Sequence, residues 1–289
     1  MGLLRRNSEG VRVVVSARSD VGRSRDHNED RFLVADLTTR DTSLKLSGRE
    51  FDLGPKGSIL LVADGMGGAL GGEIASQMAV DLIYEQLAAA WTEDHETSAE
   101  RFRFRVRDAI ERANVRIHER SQRQLELHGM GSTATLVGLF DGQFLLNQVG
   151  DSRAYLVREE GVIQLTHDQS FVQHLLDTGR ISEDQAQGME NKNVILQALG
   201  PAPTVQVVQS WRRIQRDDVI LLCSDGLTGV VGSAEIQAAV MDAPNLTQAC
   251  ESLIDLANSR GGPDNITVIL ARLTGDGLPQ EQPAELRVD

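Results

Sequence analysis

Five acidic residues in this chain of 289 stand where an apolar run begins or ends. Asp30 directly precedes the run 31–35. Asp64 follows 58–63 in Ala-Asp-Gly, Asp151 follows 143–149 in Gly-Asp-Ser, and Asp225 follows 218–223 in Ser-Asp-Gly. Asp264 lies between Gly-Gly-Pro and the run 266–271. Such Val-, Ile- and Leu-rich runs read as buried strands, and one edge of stacked sheets gathers strand ends together. Carboxylates that converge repel one another and are costly unless a multivalent cation stands between them. Taken singly, each Asp is most often a turn residue or a helix cap. Five in comparable places make that reading untenable for all of them. Oxygen donors with no Cys or His spacing beside them suit Mg or Mn rather than Zn.

The stretch 58–68 carries the idea furthest. Its strand delivers Asp64 onto a backbone containing Gly65, Gly67 and Gly68, which lets the main chain approach an ion closely enough for a carbonyl to join as a ligand. The formal charge of −13 and the 4% aromatic content argue against a nucleic-acid partner, which needs clustered cations and stacking rings. An anionic surface also repels phosphorylated substrates, so any phosphate chemistry needs a local reversal of sign. Cys223 and Cys250 are the only cysteines. Neither has a metal-type spacing, and both read as buried reduced thiols of a cytoplasmic protein. No apolar run is long enough to span a membrane, and no signal peptide is apparent.

Taken in order, residues 1–10 read as a polar lead-in, 11–17 as a half-buried strand and 37–57 as a long surface loop. Two amphipathic helices follow, one ending near residue 90. The other covers about 100–127 with the stripe Phe102, Val106, Ile110, Ala113 and Ile117. Strands are predicted at 133–140, 143–149, 152–157 and 162–165, with Asp141-Gly142 and Glu160-Gly161 as hairpin turns. Residues 168–200 are a polar insertion with short helices at 171–178, stopped by Gly179, and 182–187, opened by a Ser182/Gln185 capping box. Strands at 205–209 and 218–223 and helices at 234–240 and 246–259, the second capped by Asn245, lead to a last strand at 266–271. Residues 274–289 read as a disordered tail. Strand runs with paired helices point to α+β architecture, antiparallel sheets covered by helices.

The motifs Arg25-Asp26-His27-Asn28-Glu29-Asp30, Asp64-Gly65-Met66-Gly67-Gly68, Gly131-Ser132-Thr133-Ala134, Gly150-Asp151-Ser152-Arg153, Ser224-Asp225-Gly226 and Asp264-Asn265-Ile266-Thr267 resemble, in order, those of the metal-dependent (type 2C) protein phosphatases. The resemblance implies a four-layer α-β-β-α sandwich, two antiparallel sheets flanked by helix pairs. The catalytic domain would span 11–272, with a flap at about 168–200 and a tail at 273–289. It implies a centre of two Mn or Mg ions. Asp64 bridges both, the Gly65 carbonyl adds a ligand, and Asp225 and Asp264 complete one ion. Asp30, and Glu29 through water, order the other. Asp151 with Asp225 holds a third, weaker ion. Arg25 corresponds to the phosphate-binding arginine, whose fork answers the charge problem.

The implied reaction is hydrolysis of phosphoserine or phosphothreonine by direct attack of a water bridging two cations. No Ser or Cys nucleophile takes part. Partners would be phosphorylated substrates of a serine/threonine kinase, and the chain would act as a monomer. Two rival readings stand beside this one: a catalytically silent phosphoprotein-binding regulator, against which the retained Arg25, Asp30, Asp64, Asp225 and Asp264 speak, and a hydrolase of a small phosphorylated metabolite. Met66 stands where animal members carry His and where bacterial members carry Met. Its thioether donates no proton. His95, His118 and His128 read as solvated surface residues, and His27, His167 and His174 are left without a catalytic role.

Overall fold

The computed structural model describes residues 10–42, 47–187, 189, 194–279 and 287–288. Residues 1–9 of the expected lead-in, part of the 37–57 loop, part of the flap and most of the expected tail lie outside the described residues. Thirteen strands among these form two antiparallel sheets.

The central strand of the argument, β4 (Ser58–Met66), shows why the chain folds into layers. Its alternate residues Ile59, Leu61 and Ala63 join a core under two long helices, α1 (Ala69–Glu93) and α2 (Ala99–Arg123). Leu60 and Val62, pointing the other way, join the core between the sheets. A strand buried on both faces must read as continuous apolar sequence, and this one does. In the second sheet, β11 (Val219–Cys223) behaves alike: Ile220 and Leu222 face the inter-sheet core, while Val219, Leu221 and Cys223 pack under α6 (Ser233–Met241) and α7 (Leu246–Ser259). The result is helices, sheet, sheet, helices. Among the few aromatics, Trp91, Phe102 and Phe140 cluster with ring centroids 5.1–5.3 Å apart where α1 and α2 meet the sheet.

One sheet runs β3 (Arg49–Asp52), β1 (Arg12–Asp20), β12 (Ile266–Thr274), β11, β8 (Arg153–Arg158), β9 (Gly161–Gln164). The other runs β13 (Arg287–Val288), β10 (Val208–Arg213), β7 (Gln143–Val149), β6 (Ala134–Phe140), β4, β2 (Asp30–Asp36), with β5 (Gly131–Ser132) beside the end of β4.

Four expectations need correction. The 37–57 stretch contains β3, which pairs with β1 from Val15↔Arg49 to Arg12↔Asp52. Its exposed alternate residues hide it, because an edge strand with one face in solvent needs little apolar pattern. The strand expected at 205–209 lies at 208–213, since Trp211, Arg212 and Arg213 find partners across β7. The second long helix stops at Arg123, and residues 125–127 form a 3-10 turn. In the expected tail, Arg287 and Val288 pair with Trp211 and Ser210, adding a strand to what would otherwise be an open edge. The capping signals hold: the Asn245 side chain accepts from Gln248 N–H at 3.0 Å, and Ser182 and Gln185 bond reciprocally.

Candidate active site

Both sheets deliver acids to one edge. Asp30 opens β2 and Asp64 stands near the end of β4, and the register pairs these two residues directly, so their side chains share a face. From the other sheet come Asp225, the first residue of α5 (Asp225–Thr228) just beyond β11, and Asp264, two residues before β12. Asp151 lies in the link from β7 to β8, where the chain crosses between sheets.

The electrostatic consequence is mutual. Burial and then Asp264 raise the pKa of Asp225. Asp64 is held well above the usual carboxylate range by burial and by Asp30, Asp225, Asp151 and Asp264. Asp30, 2% exposed, is pushed up to about 7, first by burial, although Ser224 Oγ donates to its Oδ2 at 2.7 Å. Asp151 also rises to about 7, by burial and then by Asp225 and Asp168. Glu29 is raised by burial, with Arg25 opposing. Buried like charges are arranged here at a cost, the pattern that functional sites share.

The backbone that carries these acids is fixed by small polar side chains. Asn265 Oδ1 accepts from Glu29 N–H at 2.8 Å, and its Nδ2 donates to the Val21 and His27 carbonyls, each at 2.9 Å. This one side chain pins the loop that carries Arg25 and Glu29 against the start of β12. Thr133 does the same for Asp64: its N–H donates to the Asp64 carbonyl at 2.8 Å and its Oγ1 accepts from Asp64 N–H at 2.9 Å. Gly65 is required by crowding rather than flexibility, since a Cβ there would stand 2.1 Å from the Gly72 carbonyl oxygen. Asn265, Thr133 and Ser224 had no individual role on sequence grounds; their only signal was membership of the motifs 264–267, 131–134 and 224–226.

A cleft of about 440 Å³ opens on this edge. Arg25, Glu29, Asp64, Gly65, Asp225 and Asp264 all line it, with Met66, His27 and Ile195 among its other walls. The structure thus brings together the residues expected on sequence grounds, with Asp30 and Asp151 buried behind. Arg25 is half exposed and its Nη2 pairs with Asp264 Oδ2 at 2.8 Å. Beside Asp151, Arg153 holds Asp168 with Nη2 to Oδ2 at 2.6 Å. His95 and His128 are exposed as expected. His118 is not a solvated surface residue: it is half-buried, and its Nδ1 lies 2.8 Å from the Gly200 carbonyl oxygen. Cys223 and Cys250 are free and buried, and burial pushes both thiols up to about 12. Neither can serve as a thiolate nucleophile at neutral pH.

The donor set fits a hard cation. Asp30 Oδ1 and Asp151 Oδ1 are buried without a hydrogen-bond partner, and the mutually raised acids are all oxygen donors. Among the described residues no three His, Cys, Asp or Glu side chains already enclose an ion-sized space. That accords with like charges left apart and with Arg25 drawn in to Asp264. Among the described residues no helix is long and apolar enough to cross a membrane.

Comparison with known proteins gives a consistent result. The sequence pattern described as "Protein phosphatase 2C" matches residues 47–270. The chain is 38% identical over 254 residues to a serine/threonine phosphatase stp of Listeria innocua, covering 88% of this chain and 93% of the relative. Among solved structures, the Streptococcus agalactiae serine/threonine phosphatase superposes with TM-score 0.77 at 31% identity, covering 90% of this chain and 98% of that one. The catalytic domain of the serine/threonine protein phosphatase PstP, solved in complex with two manganese ions, gives TM-score 0.73 at 31% identity over 91% and 99%. The two-sheet sandwich, the acids gathered at its edge and these likenesses agree, and the chain belongs to the protein phosphatase 2C family.

Proposed function

We propose that this chain hydrolyses phosphoserine and phosphothreonine in phosphoproteins, using divalent cations held at the acidic edge. The observation that carries the reading is the five-acid edge itself, with Asp30 and Asp64 paired in register and Asp64, Asp225 and Asp264 lining one cleft. Asp64, Asp225, Asp264 and the Gly65 carbonyl would hold the ions, with Asp30 and Glu29 ordering the surroundings and Asp151 joining Asp225 at a third position. When bound, Mn or Mg supplies water activation and neutralises charge developing on the phosphoryl oxygens.

The chain's own groups do the rest. Arg25 lines the cleft with its guanidinium half exposed, so it can exchange Asp264 for two phosphoryl oxygens. Asn265 keeps the Arg25 loop in register with β12, which keeps the phosphate aligned over the acids. The catalytic domain comprises residues 11–272 with 168–200 as its flap. Two free, buried cysteines suit a reducing cytoplasm. The decisive experiment is hydrolysis of a phosphothreonine peptide with Mn and then with excess chelator. Turnover with Mn that disappears on chelation supports the reading, and undiminished turnover with chelator overturns it.

Met66 lines the cleft and cannot donate a proton, so protonation of the departing alkoxide falls to solvent on this reading. For a series of aryl and alkyl phosphates, kcat should therefore rise steeply as the leaving-group pKa falls. A flat dependence would mean a side chain donates. His27 lines the same cleft, and a slope that steepens in His27→Gln would identify it as that donor.

A further inference from the structure

The flap is tied at both ends to backbone that carries site acids. At its entry, Gln169 Oε1 accepts from Gly150 N–H at 2.7 Å and Gln169 N–H donates to the Gly150 carbonyl at 3.1 Å, one residue before Asp151. At its exit, Leu199 and Ser132 exchange both backbone hydrogen bonds, at 2.8 and 3.0 Å, one residue before the Thr133 that grips Asp64.

The exit is gripped a second time from α2. Asn114, 1% exposed, accepts from Gly200 N–H at 2.8 Å and donates from Nδ2 to the Ala202 carbonyl at 3.1 Å. One turn further along the same face, His118 Nδ1 lies 2.8 Å from the Gly200 carbonyl oxygen. A carbonyl only accepts, so this nitrogen carries the proton. Gly200 has φ +104°, and a Cβ there would stand 2.6 Å from Ile117 Cγ2, so the turn is pressed directly onto α2. Three side-chain hydrogen bonds to one turn, from a largely apolar helix face, are more than anchoring a surface excursion needs.

What this turn positions is the segment 194–196. Ile195 pairs with Ser170 and lines the carboxylate cleft. Its neighbours Val194 and Leu196 are 45% and 49% exposed, and Phe171, whose N–H donates to the Val194 carbonyl at 2.8 Å, is 37% exposed. An apolar surface therefore continues outward from the cleft wall, on a molecule of net charge −13 whose field disfavours acidic peptides.

We propose that Asn114 and His118 are positioning residues: they fix the flap's exit so that Ile195 forms an apolar subsite for the side chain next to the phosphorylated residue of a phosphoprotein substrate. This rests on the phosphatase reading above and adds to it a substrate class and the residues that enforce it. The contrast between a Leu and a Ser beside the phosphothreonine is expected to be about tenfold in kcat/KM, the size of effect that filling or leaving empty a small apolar pocket produces.

The test uses the full chain with Mn, phosphothreonine peptides with Leu or Ser at each flanking position, and a small aryl phosphate. Both hydrolysis and binding, by fluorescence anisotropy of labelled peptides, are measured. Wild type should favour Leu at one flank, mainly through KM. Ile195→Ser should abolish that preference. Asn114→Ala should abolish it too, while kcat on the aryl phosphate changes by less than about twofold, because positioning energy for a remote group is lost only with substrates that use it. His118→Ala should lose part of the preference and His118→Asn should restore it, since an amide can donate at the place of Nδ1. The His118 pair also decides the matter should Asn114→Ala not fold. Equal hydrolysis of Leu and Ser peptides by wild type, or an unchanged preference in folded Asn114→Ala, overturns the proposal and leaves the phosphatase reading standing. Tighter binding of the Leu peptide without hydrolysis of any substrate does the reverse.

Discussion

Replacing Asp64 with Ala is expected to lower kcat/KM for a phosphothreonine peptide by at least roughly 10³-fold, the scale on which preorganised electrostatic groups act. No other acid at this edge has the same relations. Asp64 faces Asp30 in register, lines the cleft with Asp225 and Asp264, and is held above the usual carboxylate range by burial and by four neighbouring aspartates. The control against simple unfolding lies in the sign of the stability change. Removing one of several repelling buried carboxylates relieves strain, so chelator-treated Asp64→Ala should melt no lower than chelator-treated wild type at neutral pH. Asp151→Ala should lose less activity, since it removes a neighbour of Asp225 rather than the shared centre. Full activity in folded Asp64→Ala would remove the basis of the mechanism.

Why Asp64 was legible in the sequence and Asn265 was not has a physical reason. An acid at the end of a run as apolar as 58–63 is conspicuous because strand burial and carboxylate solvation conflict locally, within a few residues. The β4 pattern, the Asp141-Gly142 turn and the Asn245 cap are local in the same sense. Asn265 acts across 236 residues, on the amide of Glu29, and nothing near it in sequence shows which carbonyls it will meet. Thr133 and Ser224 are similar, reaching Asp64 and Asp30 only once the strands are paired. β3 stayed hidden because its residues Arg49, Glu50 and Asp52 satisfy a solvent-facing edge. His118 was misjudged because helical spacing placed it at the margin of the apolar stripe, and only the fold brings Gly200 to that margin. The pairing of Arg25 with Asp264 was likewise out of reach: each was assigned its own ligand, and their contact depends on the loop that Asn265 pins.

The second large effect concerns pH and cations. Asp30 and Asp151 ionise near 7 in the folded chain and near 4 when unfolded. Between those values the folded state binds more protons than the unfolded one, so stability must fall as pH rises from about 4 through about 7 and then level off. At about 1.4 kcal/mol per pKa unit, the two groups together amount to several kcal/mol, or on the order of ten degrees or more in Tm for a chain of this size. Asp94 works in the opposite sense and in another window. Arg105 and Arg101 hold it below the usual carboxylate range, so its contribution is lost only as pH falls below about 4. Chelator-treated protein should therefore melt higher at pH 5.5 than at pH 8. Mn should raise Tm at both, and more at pH 8, where it need not displace protons from the same oxygens. Asp151→Asn should flatten the metal-free pH dependence while keeping most of the Mn response. A metal-free Tm that rises steadily from pH 5.5 to 8 would show that these carboxylates are solvated rather than held together, and an unchanged Tm on adding Mn would show that their convergence serves no ion.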